Sequence, residues 1–336
     1  MKKAFSTILA GVLCCAMLTS CAGKTQESVQ STTSDSDLDD KLKPPAPDNE
    51  VTPPFWIVED TKTGSTLYLL GSMHVGKDNT VYPDYVMEAY EACDKIAAEL
   101  DTVAANEDLQ GTVVAMQYIM CPTGTTASDY FGDDYEAVVE FFDEKGLATG
   151  LMDYYIPYYW ASSISVLAAQ DAGLYSSNGT ETYFLGKAHA DGKEIIEIES
   201  AAEQYEMMGN IPMDIQVKSV TDCIGEENYQ IQVNGMLALY DAWATFDDES
   251  LESLNAETAV VPEGLDEGEY NEYVDLMYID RQVTMGKAAV DFLESGDDVF
   301  MFVGAAHFYI EDDILTYLEN AGYTVTAVNG DEAAAA

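Results

Sequence analysis

The chain has 336 residues, with 61 acidic against 14 basic side chains and a formal net charge of −47 at pH 7. So acidic a surface repels phosphate backbones and anionic headgroups, which excludes nucleic acid as a partner and basic attachment to a membrane surface. Hydrophobic residues make up 47% of the sequence, enough for a large core.

The opening Met1-Lys2-Lys3 is followed by an apolar run from Ala4 to Met17 and then by Leu18-Thr19-Ser20-Cys21. The run is shorter than the ~20 residues that a membrane-spanning helix needs. Basic start, short apolar run and small residues before a cut site form the pattern of a signal peptide over 1–21. The Leu-Thr-Ser-Cys ending resembles a bacterial lipobox, which implies acylation of Cys21 and anchoring to the cell membrane on its extracytoplasmic side. Residues 22–54 are Ser, Thr, Gln, Asp, Lys and Pro with almost no apolar side chains. Such a stretch buries too little surface to offset its ordering entropy and reads as a disordered tether. The folded body is expected over 55–328, with a tail at 329–336.

Within the body, Trp56–Asp60 and Ser65–Leu70 flank Thr61-Lys62-Thr63-Gly64, which predicts a β-hairpin. Pro83–Asp94 has helical spacing, and Lys95–Leu100 reads as a strand running into Glu99. The region 106–192 is mostly helical, with segments at Asp134–Lys145 and Pro157–Leu174. A strand is expected at Glu194–Ile198 and helices at Ala201–Met208 and through Asp214–Phe246, with Ser250–Leu265 as a connector. Glu269–Leu293 predicts one long amphipathic helix. Val299–Val303 is continuously apolar, as expected of a strand buried on both faces. A helix at Asp312–Ala321 and a strand at Tyr323–Val328 close the chain. The fold class is α/β: a central mixed β-sheet flanked by helices, with a mostly helical insert.

Beyond the first 21 residues only Cys93, Cys121 and Cys223 remain, scattered singly, which is neither a disulfide framework nor a thiolate metal site. Three histidines remain, His74, His189 and His307, each with a glycine three positions earlier. Gly71-Ser72-Met73-His74 and Gly304-Ala305-Ala306-His307 directly follow hydrophobic strands. His189 follows a helical segment and is expected at the surface. Ligands in open α/β sheets bind beyond the carboxyl ends of strands, and a glycine there permits a sharp turn or close approach. Two such elements on neighbouring strands would bring two imidazoles to one point, with Glu99 at the same rim. Two histidines and a carboxylate suit a divalent metal with open positions.

The stretches Leu69-Leu70-Gly71-Ser72-Met73-His74-Val75-Gly76, Ala98-Glu99-Leu100-Asp101, Ile196–Ser200 with Glu203-Gln204, and Val303–Phe308 with Gly322–Val325 resemble, in order, the signatures of the TraB/GumN family, which is related to the TIKI metalloproteases. Ser72 stands where threonine is common and Ala306 where glycine is common. The resemblance implies a fold akin to erythromycin-esterase-like and ChaN-like proteins. It implies a site on His74, His307 and Glu99 with the motif glycines Gly71 and Gly304; the cofactor expected for a hydrolase on these residues is a divalent metal, Mn, Co or Zn. It also implies a functional arginine, carried onto Arg281, for a substrate carboxylate or a developing oxyanion.

Three readings follow. One is a metal-dependent hydrolase acting on a peptide or protein, with Glu99 as third ligand or general base. The second is a lipoprotein that binds metal or haem without turnover. The third is a non-haem iron oxygenase, which an exported location deprives of its usual reductants. The oligomeric state is left open.

Overall fold

The computed structural model describes residues 48–147 and 149–329. The expected signal segment with Cys21, the linker up to residue 47 and the tail from residue 330 lie outside the described residues. No helix among the described residues is long and apolar enough to cross a membrane.

The described residues form a six-stranded sheet and a two-stranded one. The strands are β1 (Asn49–Glu50), β2 (Phe55–Glu59), β3 (Thr66–Ser72), β4 (Thr80–Val81), β5 (Lys95–Ala98), β6 (Glu194–Glu197), β7 (Val299–Gly304) and β8 (Val325–Ala327). The large sheet has the order β6-β5-β7-β3-β2-β8. Its first four strands run parallel, and β2 pairs antiparallel with both β3 and β8. The β2–β3 pair is the expected hairpin. β7 is buried at all six positions, because β3 and β5 cover its edges and helices cover both faces.

The register matters for function. Gly71 lies opposite Val303, and Ser72 opposite Gly304. The two Gly-x-x-His elements therefore leave neighbouring parallel strands at the same level. Phe55, Leu70, Phe300 and Phe302 pack into the larger core, and Leu67, Leu69, Val299, Met301 and Val303 into the one on the opposite face. A third cluster around Trp160, Phe142 and Tyr229 lies in the helical insert. The aromatic run there is split: Tyr158 and Trp160 are buried, whereas Tyr154 is exposed. Cys93, Cys121 and Cys223 are free thiols.

Three expectations are corrected. Residues 49–54 are packed rather than extended away from the body. Val51, Pro53 and Pro54 are buried, and β1 pairs with β4. The apolar body reaches back to cover this segment despite its polar neighbours. The connector at 250–265 is instead largely helical, Asp248–Ala256 followed by the single 3-10 turn Glu257–Ala259. Asp247 starts it by accepting the Ser250 N–H at 3.2 Å, and Leu251 anchors it in the core. The long helix near the end is interrupted. Glu267–Val274 passes through a π-helical turn, Asp275–Ile279, into Asp280–Ser295. The wide turn shifts the phase of the buried face one turn ahead of Arg281.

Candidate functional site

The site is built at the carboxyl ends of β3, β5, β6 and β7. β3 delivers His74 and β7 delivers His307. Between them Gly71 accepts neighbours that a side chain would push away: a Cβ there would sit 3.2 Å from Pro54 Cβ and 3.3 Å from Ala305 Cβ. The Gly71 carbonyl accepts the indole N–H of Trp243 at 2.8 Å. Beyond β7 the chain makes a short 3-10 turn, Ala305–Phe308, which buries His307 completely. Phe308 stacks on Trp56, ring centroids 4.6 Å apart, and fixes that turn to the sheet.

Pairing between β5 and β6 continues past the strand ends. The Glu199 N–H donates to the Glu99 carbonyl at 2.8 Å, so two carboxylates come to lie side by side. Arg281 bridges them. Its Nη2 donates to Glu99 Oε2 at 2.7 Å and to Glu199 Oε2 at 2.8 Å, and its Nε donates to Glu199 Oε1 at 2.7 Å. Nη1 reaches the Met277 carbonyl at 3.3 Å. Gln204 adds an amide donor to Glu199 Oε2 at 2.7 Å. The other Glu99 oxygen accepts the Gly304 N–H at 2.7 Å and lies 4.0 Å from His307 Nε2. The two carboxylates hold the Arg281 guanidinium protonated above its usual range against the opposing effect of burial.

The histidines sit in opposite fields. Burial alone would depress the His74 imidazolium, but the Glu181 carboxylate, with Oε1 2.9 Å from Nδ1, holds the group above the usual histidine range. That contact is a close ion pair rather than a well-aligned hydrogen bond, and Nε2 has no partner. Ser72 Oγ donates to the same Glu181 oxygen at 2.5 Å, and His74 in turn lowers the Glu181 carboxyl against burial. His307 is pushed well below the usual range, first by burial and then by the nearby Arg281 guanidinium. Both of its ring nitrogens are buried without a partner. Such groups cost free energy unless something meets them.

Glu181 reaches His74 because the helix Thr180–Asp191 starts against the strand end. Gly179 permits that approach: a Cβ there would meet the His74 carbonyl oxygen at 2.3 Å. Thr180 N–H donates to the Met73 carbonyl at 2.9 Å, and Met73 N–H to Thr180 Oγ1 at 3.1 Å. No motif in the sequence marks Glu181, and Glu199 and Gln204 fall within a family-like signature that gives them no role.

The four expected residues His74, His307, Glu99 and Arg281 thus meet at one rim. His189 does not. It lies on the helix Thr180–Asp191, exposed, with Nε2 2.8 Å from Asp101 Oδ2. Arg281 differs from its expected role. It is 6% exposed, and Nε, Nη1 and Nη2 all have protein partners, so it positions Glu99 rather than facing a substrate.

A cation fits this chemistry in part. Three carboxylates, Glu99, Glu181 and Glu199, stand against one guanidinium and two imidazoles, and four imidazole nitrogens lack a hydrogen-bond partner, His74 Nδ1 among them although it lies 2.9 Å from Glu181. Among the described residues no three His, Cys, Asp or Glu side chains form a finished ligand set. A narrow cleft of about 30 Å³ opens beside His74, between β3, the turn after β7 and the helices Glu226–Ala244 and Asp248–Ala256.

No curated protein matches the chain, and no solved structure does. The profile of the TraB/PrgY/gumN family matches residues 54–327, from the start of the hairpin to the last strand. The chain belongs to the TraB/PrgY/gumN family.

Proposed function

We propose that the protein is a membrane-anchored extracytoplasmic hydrolase, a peptidase assisted by a divalent metal such as Mn, Co or Zn. The observation that carries the reading is the pair of buried imidazoles with unmet ring nitrogens at the ends of two adjacent parallel strands, beside a fixed carboxylate. The anchoring part is supported by the first 21 residues alone, which end in Cys21.

His74 and His307 would hold the metal. When bound, such an ion polarises a carbonyl and brings the pKa of water down towards ~7. The rest falls to the chain. Burial and Arg281 keep the His307 ring neutral, the form that offers a lone pair. Glu181 fixes the His74 ring through Nδ1, and a bound cation would displace the proton from Nε2, a carboxylate–histidine arrangement common behind metal ligands. Arg281 and the Gly304 N–H clamp Glu99 so that one oxygen stays close to His307. That oxygen would serve as third ligand or would take up a proton as general base. The burial of His74, His307 and Arg281 keeps bulk water away from these groups.

The test is cleavage of peptide libraries by the purified body with and without Mn, Co or Zn. The reading expects cleavage that needs the metal and disappears in His74→Ala. Stoichiometric metal uptake without cleavage would favour a binding lipoprotein instead.

A further inference from the structure

Charge is spread unevenly over this chain. Charged residues make up 22% of the sequence, yet the 20 residues from Leu109 to Ser128 contain none. Between Lys145 and Asp171 the only charged side chain is Asp153, and its carboxylate accepts the Tyr135 hydroxyl at 3.0 Å. The fold brings these two stretches together. Met120 pairs with Tyr155 in an antiparallel bridge. Cys121 N–H donates to the Tyr154 carbonyl at 2.8 Å, and Ile156 N–H to the Ile119 carbonyl at 3.0 Å.

The outer surface of the pair is apolar. Leu151 is 77% exposed and Val113 63%, and Val114, Tyr118, Met120 and Tyr154 are exposed beside them. These are six of the 11 large hydrophobic residues exposed among the described residues, gathered on two joined segments. Val114 and Tyr118 stand four residues apart, neighbours on one helical face. Single exposed apolar residues are ordinary, whereas a gathered patch marks a contact surface. Its underside is anchored by Ala115 and Ile119, both buried.

Two conditions choose the occupant. It must be neutral where it touches, because the patch offers neither sign of charge to a charged partner. It must also be within reach. A second copy would bring together two bodies of the same strongly negative charge. The boundary between headgroups and acyl chains of a bilayer takes tyrosines with aliphatic neighbours. With Cys21 in the membrane, 26 residues (22–47) separate the anchor from Asp48. Even fully extended they span roughly 90 Å. So short a link raises the local concentration of the bilayer, and a weak apolar contact is then enough.

We propose that this face is a membrane-docking surface, and that Val113, Val114, Tyr118, Met120, Leu151 and Tyr154 enter the bilayer that holds Cys21. The proposal rests on the reading of Cys21 as a lipid anchor. The helix Leu109–Met116 and the turn Gln117–Ile119 pack on the helix Ala201–Gly209, and a Cβ on Gly209 would collide with the Tyr118 carbonyl oxygen. That same helix carries Gln204, which holds Glu199 at the rim. Docking therefore keeps the rim close to the bilayer instead of at the full reach of the link.

The chain from Cys21 to Ala336 with Cys21→Ser has no acyl group, so its sedimentation with vesicles reads the patch alone. It should bind phosphatidylcholine vesicles at millimolar lipid. Replacing part of that lipid with phosphatidylglycerol should weaken binding, and raising salt from about 0.05 M to about 0.5 M should restore it, because the acidic body is repelled by anionic headgroups. Attachment through basic residues would give the opposite salt response. The double substitution Val113→Asp with Leu151→Asp should lower partitioning at least about tenfold. Val260→Asp, at a valine equally exposed at 63% but outside the patch, should leave it within about twofold. No binding to phosphatidylcholine at any salt overturns the proposal, as does undiminished binding by the double variant. A dimer in ultracentrifugation that ignores vesicles and is lost in the double variant would assign the patch to a second copy and overturn it too. The lipid and salt comparisons need no variant, so a misfolded one does not blunt them. The mass of Cys21 in the membrane fraction tests the anchor separately. An unmodified cysteine with vesicle binding intact fails the anchor and leaves the docking surface, and an acylated cysteine without vesicle binding fails the docking surface alone.

Discussion

The two Gly-x-x-His elements share a spacing, a strand-end position and a level in the sheet, yet they treat their imidazoles in opposite ways. His74 meets a carboxylate from a helix that docks across the strand end, and its protonated form is favoured. His307 is wrapped in the turn after β7 with a guanidinium nearby, and its neutral form is favoured. The motif sets where an imidazole goes. Residues remote in sequence set what it does. His189 makes the same point from outside: it has the spacing without the strand, and it ends on the surface beside Asp101.

The largest expected effect is on activity. His307→Ala should lower kcat/KM for a cleaved peptide by ~10³-fold or more, in the range of losing a metal's contribution to the reacting centre. His74→Ala should do the same, and His189→Ala should leave the rate within about twofold. A working His307→Ala protein would break the symmetry of the two elements.

Next is the charge bridge. Arg281→Gln strands two buried carboxylates, Glu99 and Glu199, whose side chains are 12% and 10% exposed. Removing one partner of a buried ionic network costs ~3–5 kcal/mol. Urea unfolding checks this, and a loss below ~1 kcal/mol would show that the bridge is not what holds the rim together.

The pH dependence of stability should separate the two histidines by sign. His307 has a lowered value in the fold, so the unfolded chain takes up its proton first. Stability therefore falls as pH drops below the ordinary histidine value of ~6.5, by up to ~1.4 kcal/mol per unit from this group. His74 has a raised value, so its contribution is fully present below ~6.5 and fades as pH rises through the folded value. His307→Gln should flatten the acid side of the profile, and His74→Gln should remove a gain on that side. Denaturant midpoints measured between pH 5 and pH 8 read both.

The smallest effect sharpens the cause. Glu181→Gln keeps the shape but removes the charge beside His74, so the His74 ring should titrate lower than in the parent protein. NMR of its carbon-bound protons would follow this. An unchanged titration would assign the field at His74 to Glu99 instead.

Much of this frame was legible in the sequence. A continuous apolar run at Val299–Val303 announced the central strand, and glycine with histidine after it announced the rim. Glu99 stood at the end of a recognisable strand. Glu181 was not legible. It is one of 61 acidic residues, and its place depends on Gly179 letting a helix start against the His74 carbonyl, a contact across more than 100 residues of chain. The helix Asp248–Ala256 escaped because few of its residues are apolar, and its burial is supplied by Leu251 and a core it does not itself build. The place of Arg281 on its helix is legible in the sequence, but its partners Glu99 and Glu199 are not. A substrate-facing role and a buried bridge look alike in sequence, and only the neighbouring ends of β5 and β6 decide between them.

The central claim is that both imidazoles take hold of one divalent cation. Titration of the metal-free protein with Co(II), followed by calorimetry and by visible absorption, tests it most directly. The account predicts about one equivalent bound, with an altered Co(II) spectrum that is lost in His74→Ala and in His307→Ala and retained in His189→Ala. Uptake that survives both rim substitutions, or no uptake by the parent protein, would contradict it.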